Sequence, residues 1–294
     1  MAPRITSTIV SQFCWRQSAR DSRPSRCALT ILDRVLGAHN PRVDRARSLL
    51  TKKGRREQGR FLLEGPTLIA EAARSGVRIE ELFGTAPALD QFAEATGLEA
   101  RGTHVHRVDE RTLGRLCDVE TPQGLVAVAP AVLRDLADLF TSDGIVLALA
   151  GLSDPGNAGT LLRTADAFGI DRVIFSPGAV EPYAPKVVRA AMGSLFRARV
   201  AVASAGAVAK AASGWTITGL DRRGEPIGEV SWAAKCVLVV GQERHGLGDW
   251  SAVCGGLAAI PMAGEAESLN ASVAGAIALY EAARSRSHHP VKRV

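Results

Sequence analysis

Residues 145–169 read IVLALAGLSDPGNAGTLLRTADAFG, and this segment decides the fold of the C-terminal part of the chain. Its first eight residues form a nearly continuous apolar run, which is typical of a β-strand covered on both faces. Asp-Pro-Gly-Asn (154–157) has the composition of a turn, and a helix is expected to open at Gly159. A buried strand, a turn and an amphipathic helix in this order predict a parallel α/β sheet.

The same pattern continues downstream to the end of the chain. Near-continuous apolar runs alternate with helical segments, which predicts a parallel-sheet α/β domain with helices on both faces. The predicted strands are residues 145–152, 172–178, 215–221, 236–243 and 257–262. The predicted helices are residues 159–169, 185–196, 206–214 and 268–284.

A second, smaller α/β domain is predicted upstream. A strand over 59–65 is followed by a helix over 66–76, which starts with proline and ends with glycine. A further strand over 123–130 stops at Pro130. The predicted organisation is a basic, disordered extension (1–40), this small domain (41–130), a linker (131–144), the large α/β domain (145–287) and a tail (288–294).

The chain carries a net charge of +6, and its positive charge is concentrated in residues 42–60. This segment is interpreted as a basic helix that favours a polyanion, because each neutralised phosphate releases condensed counterions. The alternative is a solvated helix face. The basic residues are Arg42, Arg45, Arg47, Lys52, Lys53, Arg55, Arg56 and Arg60.

Cysteine usage indicates a reducing compartment. The five cysteines are an odd number and contain no CxxC pair, so neither a disulfide framework nor a zinc ribbon is predicted, and we expect a cytoplasmic protein. The longest apolar run is well short of the roughly 18 residues that a membrane span needs, so we expect a soluble protein. The HVH triplet (104–106) lacks a third ligand, and no metal is predicted.

The first strand-to-helix junction carries Asn157 and Arg163. Leu161, Ala165 and Phe168 are expected to share the core-facing side of the helix, which leaves Arg163 on another face. Because open α/β sheets bind ligands at the carboxyl ends of their strands, a helix-capping Asn and a surface Arg are the weaker explanation.

Two further junctions carry polar side chains. Gly241 ends a predicted strand, where another backbone or a ligand can approach closely, and Glu243 follows it. Ser268 is a suitable N-cap for the last helix, which would leave Asn270 in the first turn, free to bind a ligand.

The last helix, predicted over 268–284, has two distinct sets of residues. Ala271 and Gly275 are small and four residues apart, which permits close helix packing within the chain or across a dimer. The expected apolar face consists of Leu269, Val273, Ile277 and Tyr280.

The three junctions, in this order and spacing, resemble the three motifs of the SpoU (TrmH) family of RNA 2′-O-ribose methyltransferases, within the SPOUT superfamily. The matching segments are residues 154–169, 239–247 and 260–281, with an intermediate segment at 187–196 in which Ala191 replaces the commoner serine. Residues 41–129 are similar to the ribosomal-protein-like substrate-binding domain that often precedes this catalytic domain.

The resemblance implies a deep trefoil knot, an obligate homodimer and S-adenosylmethionine as cofactor. Neither the knot nor the dimer follows from periodicity, and general topology rules argue against a knot. The residues that the resemblance places at the cofactor are Thr218, Gly219, Gly241, Ile260, Met262 and Leu269.

The resemblance also implies catalytic roles. Arg163 would act on the ribose hydroxyl as a base, or, because arginine is normally always protonated, would orient the hydroxyl and hold the adjacent phosphate. Glu243 would fix the site across the dimer interface, and Asn157, Ser268 and Asn270 would assist. The expected RNA contacts are Lys52, Lys53, Arg55, Arg56 and Arg60.

Ribosomal RNA of the 23S type is the preferred substrate, because a separate recognition domain and a broad basic surface suit a large structured RNA. Three alternatives stay open: a transfer-RNA 2′-O-methyltransferase, a non-catalytic RNA-binding or ribosome-assembly protein on the same fold, and a Rossmann-type enzyme. The last would require a glycine-rich turn after the first strand, and GxGxxG is absent after every predicted strand.

Overall fold

The computed structural model describes residues 35–96 and 102–286. The predicted extension (1–40) lies mostly outside the described residues, and the predicted tail (288–294) lies wholly outside them. Leu36 is nevertheless part of the first domain, because it is buried and its N–H donates to the Arg107 carbonyl at 2.8 Å. The first folded domain therefore begins earlier than residue 41.

The N-terminal domain has a four-stranded mixed sheet in the order β1-β4-β2-β3. Strand β4 is antiparallel to β1 and β2, whereas β2 and β3 are parallel. Helix α4 was not predicted from the sequence. The elements are α1 (Pro41–Ser48), α2 (Lys52–Gln58), β1 (Arg60–Glu64), α3 (Pro66–Arg74), β2 (Glu81–Gly84), α4 (Ala86–Thr96), β3 (His104–Arg107), α5 (Glu110–Gly114) and β4 (Leu125–Pro130).

The basic segment 42–60 is two short helices and not one helix, so this expectation was wrong. The Thr51 hydroxyl accepts a hydrogen bond from the Gly54 N–H at 3.1 Å and caps the start of α2. Gly59 ends α2 in the left-handed conformation, with φ of 60°. The break makes α2 a separate basic element.

The C-terminal domain has a six-stranded parallel sheet in the order β10-β8-β9-β5-β6-β7, which confirms the predicted parallel α/β fold. Strand β7 was missed, because it is short and lies at the edge of the sheet. The elements are β5 (Gly144–Leu149), α6 (Pro155–Ala167), β6 (Arg172–Phe175), α7 (Pro185–Ala190), β7 (Arg199–Val202), α8 (Ala205–Ala211), β8 (Thr216–Pro226), β9 (Lys235–Val240), β10 (Gly256–Ala259) and α9 (Ala271–Arg284).

The predicted helix over 185–196 is interrupted after Ala190. Met192 and Gly193 both have positive φ, at 48° and 94°, and a short 3₁₀ helix follows over Ser194–Phe196. A Cβ on Gly193 would collide with the side chain of Glu71. The close approach of α3 to this bend explains why the helix cannot continue.

Helix α9 begins at Ala271 and not at Ser268, and its buried face is not the predicted one. Val273 is 47% exposed and Tyr280 is 49% exposed. A Cβ on Gly275 would collide with Leu161 of α6, so the helix packs through its small residues, as the Ala271–Gly275 spacing indicated. The buried residues of α9 are Ala271, Ser272, Gly275, Ala278, Leu279 and Ala282.

The expected core face of α6 is correct at two of its three positions. Leu161 and Ala165 are buried, whereas Phe168 is 38% exposed. The Phe168 ring lies beside Tyr280 of α9, with 5.8 Å between ring centroids. Large apolar side chains of α6 and α9 therefore share one exposed patch.

Two arginines, Arg55, which is buried, and Arg189, which is partly buried, join the two domains. Arg55 of α2 is 7% exposed, and its Nε donates to Glu181 at 2.9 Å. Arg189 of α7 bridges Glu64 of β1, at 3.2 Å, and Asp118, at 2.7 Å. Because a buried guanidinium is costly to leave unpaired, these contacts fix the position of the small domain on the large one.

Burial at this joint shifts the pKa of two neighbouring groups. Desolvation raises the pKa of Glu64, against hydrogen bonding from the Asp118 backbone and the charge of Arg189. Burial, followed by the charge of Glu64, raises the pKa of the Cys117 thiol to about 12. Cys117 is therefore a protonated thiol at neutral pH.

The described residues contain no helix that has both the length and the hydropathy to cross a membrane. They also contain no group of three or more histidine, cysteine, aspartate or glutamate side chains placed to hold a metal ion. His106 of the HVH triplet is buried and lies 3.0 Å from a carboxylate oxygen of Glu81.

Strand β10 contacts two separate parts of β8. Leu257 pairs with Gly219, and the next residue, Ala258, pairs with Glu225, so the intervening segment leaves the ladder. A Cβ on Gly224 would lie 2.5 Å from the Ala258 backbone nitrogen. The segment between Gly219 and Glu225 therefore packs closely against β10, and only glycine fits at position 224. The trefoil knot itself stays a prediction from the resemblance.

We expect Gly224→Ala to lower the free energy of unfolding by about 1–3 kcal/mol, because the added methyl group overlaps the β10 backbone. Gly228→Ala is the matched control, since a Cβ at Gly228 meets nothing within 4 Å. Chemical denaturation of both variants measures the difference. Equal free energies of unfolding for the two variants would contradict the close packing of Gly224 against β10.

Candidate functional site

The first motif forms the start of helix α6. The Asp154 carboxylate caps the helix by accepting the Asn157 N–H at 2.7 Å, and Pro155 occupies the first helical position. The helix therefore begins four residues before Gly159, where the sequence analysis placed its start. Gly159 instead lets α7 approach, since a Cβ there would collide with Ala190. Asn157 thus lies in the first turn of α6, at the carboxyl edge of the sheet.

The second motif forms a tight turn after β9. Backbone hydrogen bonds of 3.1 and 2.9 Å between Gln242 and Gly246 close this turn. A Cβ on Gly241 would collide with the Gly246 carbonyl, so glycine permits the close approach of another backbone, one of the two options that the sequence left open. The turn presents Glu243 at the same edge of the sheet as Asn157.

Hydrogen bonds join Asn157, Glu243 and Asn270 into one network, which we call the edge triad. The Asn157 side-chain amide donates to Glu243 Oε1 at 2.7 Å. The Asn270 side-chain amide donates to Asn157 Oδ1 at 3.0 Å. The Glu243 carboxylate also accepts the backbone N–H of Ala271, the first residue of α9, at 3.2 Å. The three motifs therefore meet in space, within one chain.

Asn270, and not Ser268, is the N-cap of α9. Its Oδ1 accepts the N–H groups of Ser272 at 2.9 Å and Val273 at 3.3 Å. With the carboxylate of Glu243 beside the same helix start, a negative charge lies at the positive end of the helix dipole. Glu243 thus fixes two elements of its own chain, whereas the resemblance implied a role across the dimer interface.

Arg163 lies outside the edge triad. It is six residues beyond Asn157 on α6, about 9 Å along the helix axis. Its side chain is exposed, and it has no ion-pair or hydrogen-bond partner within the part of the chain that the structure describes. Its guanidinium is therefore available to an anionic ligand.

A cavity of about 550 Å³ adjoins the edge triad. It lies at the edge of the sheet where β9, β10 and the part of β8 that pairs with β9 end, which is where an open α/β sheet binds ligands. Its lining includes Glu243 and Ser268 together with four of the predicted cofactor residues, namely Gly241, Ile260, Met262 and Leu269.

Thr218 and Gly219 do not line the cavity, although the sequence analysis placed them at the cofactor. Thr218 is buried within β8, and a Cβ on Gly219 would collide with Leu247. The lining starts one residue later, at Leu220. Leu220 and Asp221 are the last two residues of the predicted strand over 215–221, and Arg222 and Arg223 follow it directly. The rule that ligands bind beyond strand ends could therefore have selected the two arginines. The missed lining residues include Leu220, Asp221, Arg222, Arg223, Gln242, Arg244 and Glu267.

Charges of both signs surround the cavity. Asp221 holds Arg223 through hydrogen bonds of 2.9 and 3.0 Å, and this contact lowers the pKa of Asp221. Glu243 and Glu267 add carboxylates to the rim, and Arg244 adds a guanidinium. A ligand with both a cationic and an anionic group can therefore find partners here.

The predicted RNA contacts divide into two groups. Lys52, Lys53 and Arg56 are exposed on α2. Arg55 is buried, and its guanidinium is occupied by Glu181 and by the carbonyls of Leu49 and Leu50, which follow α1, so it is not placed to contact RNA. Arg60 pairs with Glu80 and is only partly free. The spacing of these residues in the sequence could not show which of them are exposed. The helix break at Thr51 decides which side of α2 faces solvent.

Family comparisons match two adjoining parts of the chain. Residues 144–280 match the SpoU rRNA Methylase family, and residues 40–127 match the MRM3-like substrate binding domain.

Relatives of similar length align with most of the chain. A Bacillus subtilis protein named 23S rRNA (guanosine(2553)-2′-O)-methyltransferase RlmP is 31% identical over 253 residues, covering 85% of this chain and 98% of the relative. A Streptomyces viridochromogenes 23S rRNA (uridine(2479)-2′-O)-methyltransferase is 30% identical, covering 89% of this chain and 96% of the relative.

Solved structures are also similar to this chain over most of its length. An AdoMet-bound rRNA methyltransferase from Sinorhizobium meliloti superposes with a TM-score of 0.77 at 32% identity, covering 86% of this chain and 97% of that one. The SpoU methyltransferase AviRb from Streptomyces viridochromogenes, in complex with AdoMet, gives a TM-score of 0.74 at 29% identity, covering 85% and 100%.

We expect Asn270→Ala to lower the free energy of unfolding by about 1 kcal/mol or more, because it removes the N-cap of α9. Ser268→Ala should stay within about 0.5 kcal/mol of the unmodified protein, since Ser268 is exposed and caps nothing. Chemical denaturation compares the two. A larger loss for Ser268→Ala would restore Ser268 as the cap.

Proposed function

Since the chain belongs to the SpoU rRNA methylase family, we propose that it transfers the methyl group of S-adenosylmethionine to a ribose 2′-hydroxyl of ribosomal RNA. The observation that carries this function is the edge triad beside a cavity at the carboxyl edge of the parallel sheet. The relatives named for 23S rRNA favour ribosomal over transfer RNA. The intact triad favours an enzyme over a binding protein.

The cavity fits S-adenosylmethionine in size and chemistry. A volume of about 550 Å³ suits a ligand of this size. Apolar side chains, among them Ile260 and Leu269, offer a wall to a nucleoside, and Glu267 offers a carboxylate to cationic groups. When bound, this cofactor supplies an electrophilic methyl group on a sulfonium.

Arg163 is proposed to hold the phosphate next to the reacting ribose and to orient its hydroxyl. A guanidinium stays protonated, so the role of a cationic clamp follows from its chemistry more directly than that of a base. Its exposed side chain, with no partner among the described residues, supports this role. Correct placement of the hydroxyl against the methyl group would supply much of the rate.

The edge triad is proposed to position the reaction. Asn157 and Glu243 hold the start of α9, and this placement determines where Ser268 and Leu269 meet the cavity. The exposed Ser268 hydroxyl is proposed to contact the ribose. Asn270 holds Asn157 while capping its own helix, so each member of the triad has a structural as well as a catalytic role.

RNA is proposed to approach across α2, where Lys52, Lys53 and Arg56 project into solvent. The buried pair between Arg55 and Glu181 fixes this helix against the catalytic domain. A fixed basic helix gives the RNA phosphates one defined path toward Arg163.

The protein is proposed to act as a homodimer through the exposed patch of α6 and α9. Phe168, Val273 and Tyr280 are large, apolar and exposed on these two helices. Exposed apolar side chains that contact one another favour burial against a partner. A second copy of the same patch would be a self-complementary occupant.

We expect Arg163→Ala to reduce methyl transfer to ribosomal RNA by about 100-fold or more. The variant lacks the guanidinium that orients the ribose hydroxyl and stabilises charge beside it. Cofactor affinity should be unchanged, since Arg163 does not line the cavity. Transfer of labelled methyl to RNA from a strain lacking the protein, with calorimetry for the cofactor, measures both. Lys210→Ala, an exposed change on α8, is the control. Full turnover of Arg163→Ala would remove Arg163 from the mechanism.

We expect Val273→Glu to convert the dimer to a monomer, because burying an unpaired carboxylate in an apolar contact is costly. Val132→Glu is a closely matched control, since Val132 is 48% exposed and Val273 is 47% exposed. Light scattering after size exclusion gives the mass of each. A Val273→Glu variant with the mass of the unmodified dimer would place the interface elsewhere.

A further inference from the structure

A second cavity, which we call the joint groove, lies between the two domains. Its volume is about 580 Å³. Helix α2 forms one wall through Lys52 and Arg56, and the loop after β6, residues 176–183, forms the opposite wall. Leu133 and Val202 complete the lining. The groove is distinct from the cofactor cavity, with which it shares no lining residue.

The joint groove combines free cations with exposed apolar side chains. Lys52 and Arg56 have no acidic partner among the described residues, and the carboxylate of Glu181 is already paired with Arg55. Leu133 is 51% exposed and Val202 is 45% exposed. A groove for phosphates alone would not need an apolar lining. A nucleotide has both a phosphate and a flat apolar face, and it matches both sets of residues.

The groove is close to the proposed reaction site. Strand β6, whose loop forms one wall, is separated from β9 by one strand, which places their ends about 10 Å apart. The Ser176 hydroxyl, in the groove, accepts the Gly151 N–H at 2.8 Å. Gly151 belongs to the short loop between β5 and α6, the helix whose first turn carries Asn157. The groove wall is therefore bonded directly to the segment that leads to the first motif.

We propose that the joint groove binds an unpaired nucleotide of the RNA substrate, near the nucleotide that is methylated. Lys52 and Arg56 contact its phosphates, and Leu133 and Val202 pack against its base. The base must be unpaired, because a base in a duplex stacks on its neighbours and cannot enter a groove between two domains. This inference rests on the proposed function and adds a substrate-binding site to it.

Two pairs of variants test the groove in the full-length protein. Leu133→Asn removes an apolar contact inside the groove, and Val132→Asn makes a comparable change at a neighbouring exposed residue outside it. Lys52→Ala removes a groove cation, and Lys210→Ala removes an exposed lysine of α8. The RNA probe is ribosomal RNA from a strain lacking the protein, supplemented by one oligonucleotide used single-stranded and annealed to its complement.

Leu133→Asn should raise the KM for ribosomal RNA by roughly fivefold to tenfold, with kcat and the salt dependence of binding unchanged. It should weaken binding of the single-stranded oligonucleotide but not of the duplex. Lys52→Ala should reduce the slope of log affinity against log salt by about 0.7, the value of one phosphate contact on a single strand. Val132→Asn and Lys210→Ala should match the unmodified protein in every measurement.

Equal KM values for Leu133→Asn and Val132→Asn would overturn the groove as an RNA site while leaving the methyltransferase intact. Equal weakening of single-stranded and duplex RNA would overturn the unpaired nucleotide as its occupant. An unmodified protein that binds S-adenosylmethionine but methylates no ribosomal RNA would instead overturn the proposed function, and the two failures are thereby distinguished.

Discussion

The hydrogen bonds of the Glu243 carboxylate hold together the catalytic edge of the parallel sheet. One oxygen accepts both the Asn157 amide and the first backbone N–H of α9, which ties the turn after β9 to two helices. Asn270 completes the edge triad from a position 113 residues beyond Asn157. Without this carboxylate, the Asn157 amide and the first backbone N–H of α9 would lose their shared acceptor. The carboxylate therefore holds together one turn and the starts of two helices, which no strand ladder connects.

The position of α9 sets a second constraint, which acts through side-chain volume. Gly275 lets α9 lie directly on α6, and apart from Leu279 the buried residues of the helix are small. Val273 and Tyr280 face outward, and the Tyr280 ring lies beside that of Phe168. The two helices that pack together in the monomer thus also carry the apolar patch proposed for dimerisation.

The joint between the domains connects the proposed RNA-binding surface to the proposed reaction site. Arg55 and Arg189 are held by carboxylates of the other domain, and burial raises the pKa of Glu64. Paired buried charges tolerate little displacement, because separation leaves each ion unsatisfied. The basic face of α2 and the joint groove are consequently held in a constant relation to the edge triad.

The sequence by itself determined the parallel α/β sheet, because buried strands must be apolar along their whole length, and it located Asn157, Glu243 and Asn270 at strand-to-helix junctions. It also identified the family through those junctions. Tertiary structure alone decided that Asn270 rather than Ser268 caps α9, since the choice depends on Asn157 and Glu243 arriving from distant parts of the chain. The tertiary structure likewise decided that Arg55 is buried while Lys52 and Arg56 are exposed. These residues are close in sequence and alike in charge, so the sequence does not show which of them faces the large domain. Local pattern specifies periodicity, whereas partners separated by a hundred residues are specified only by the folded chain.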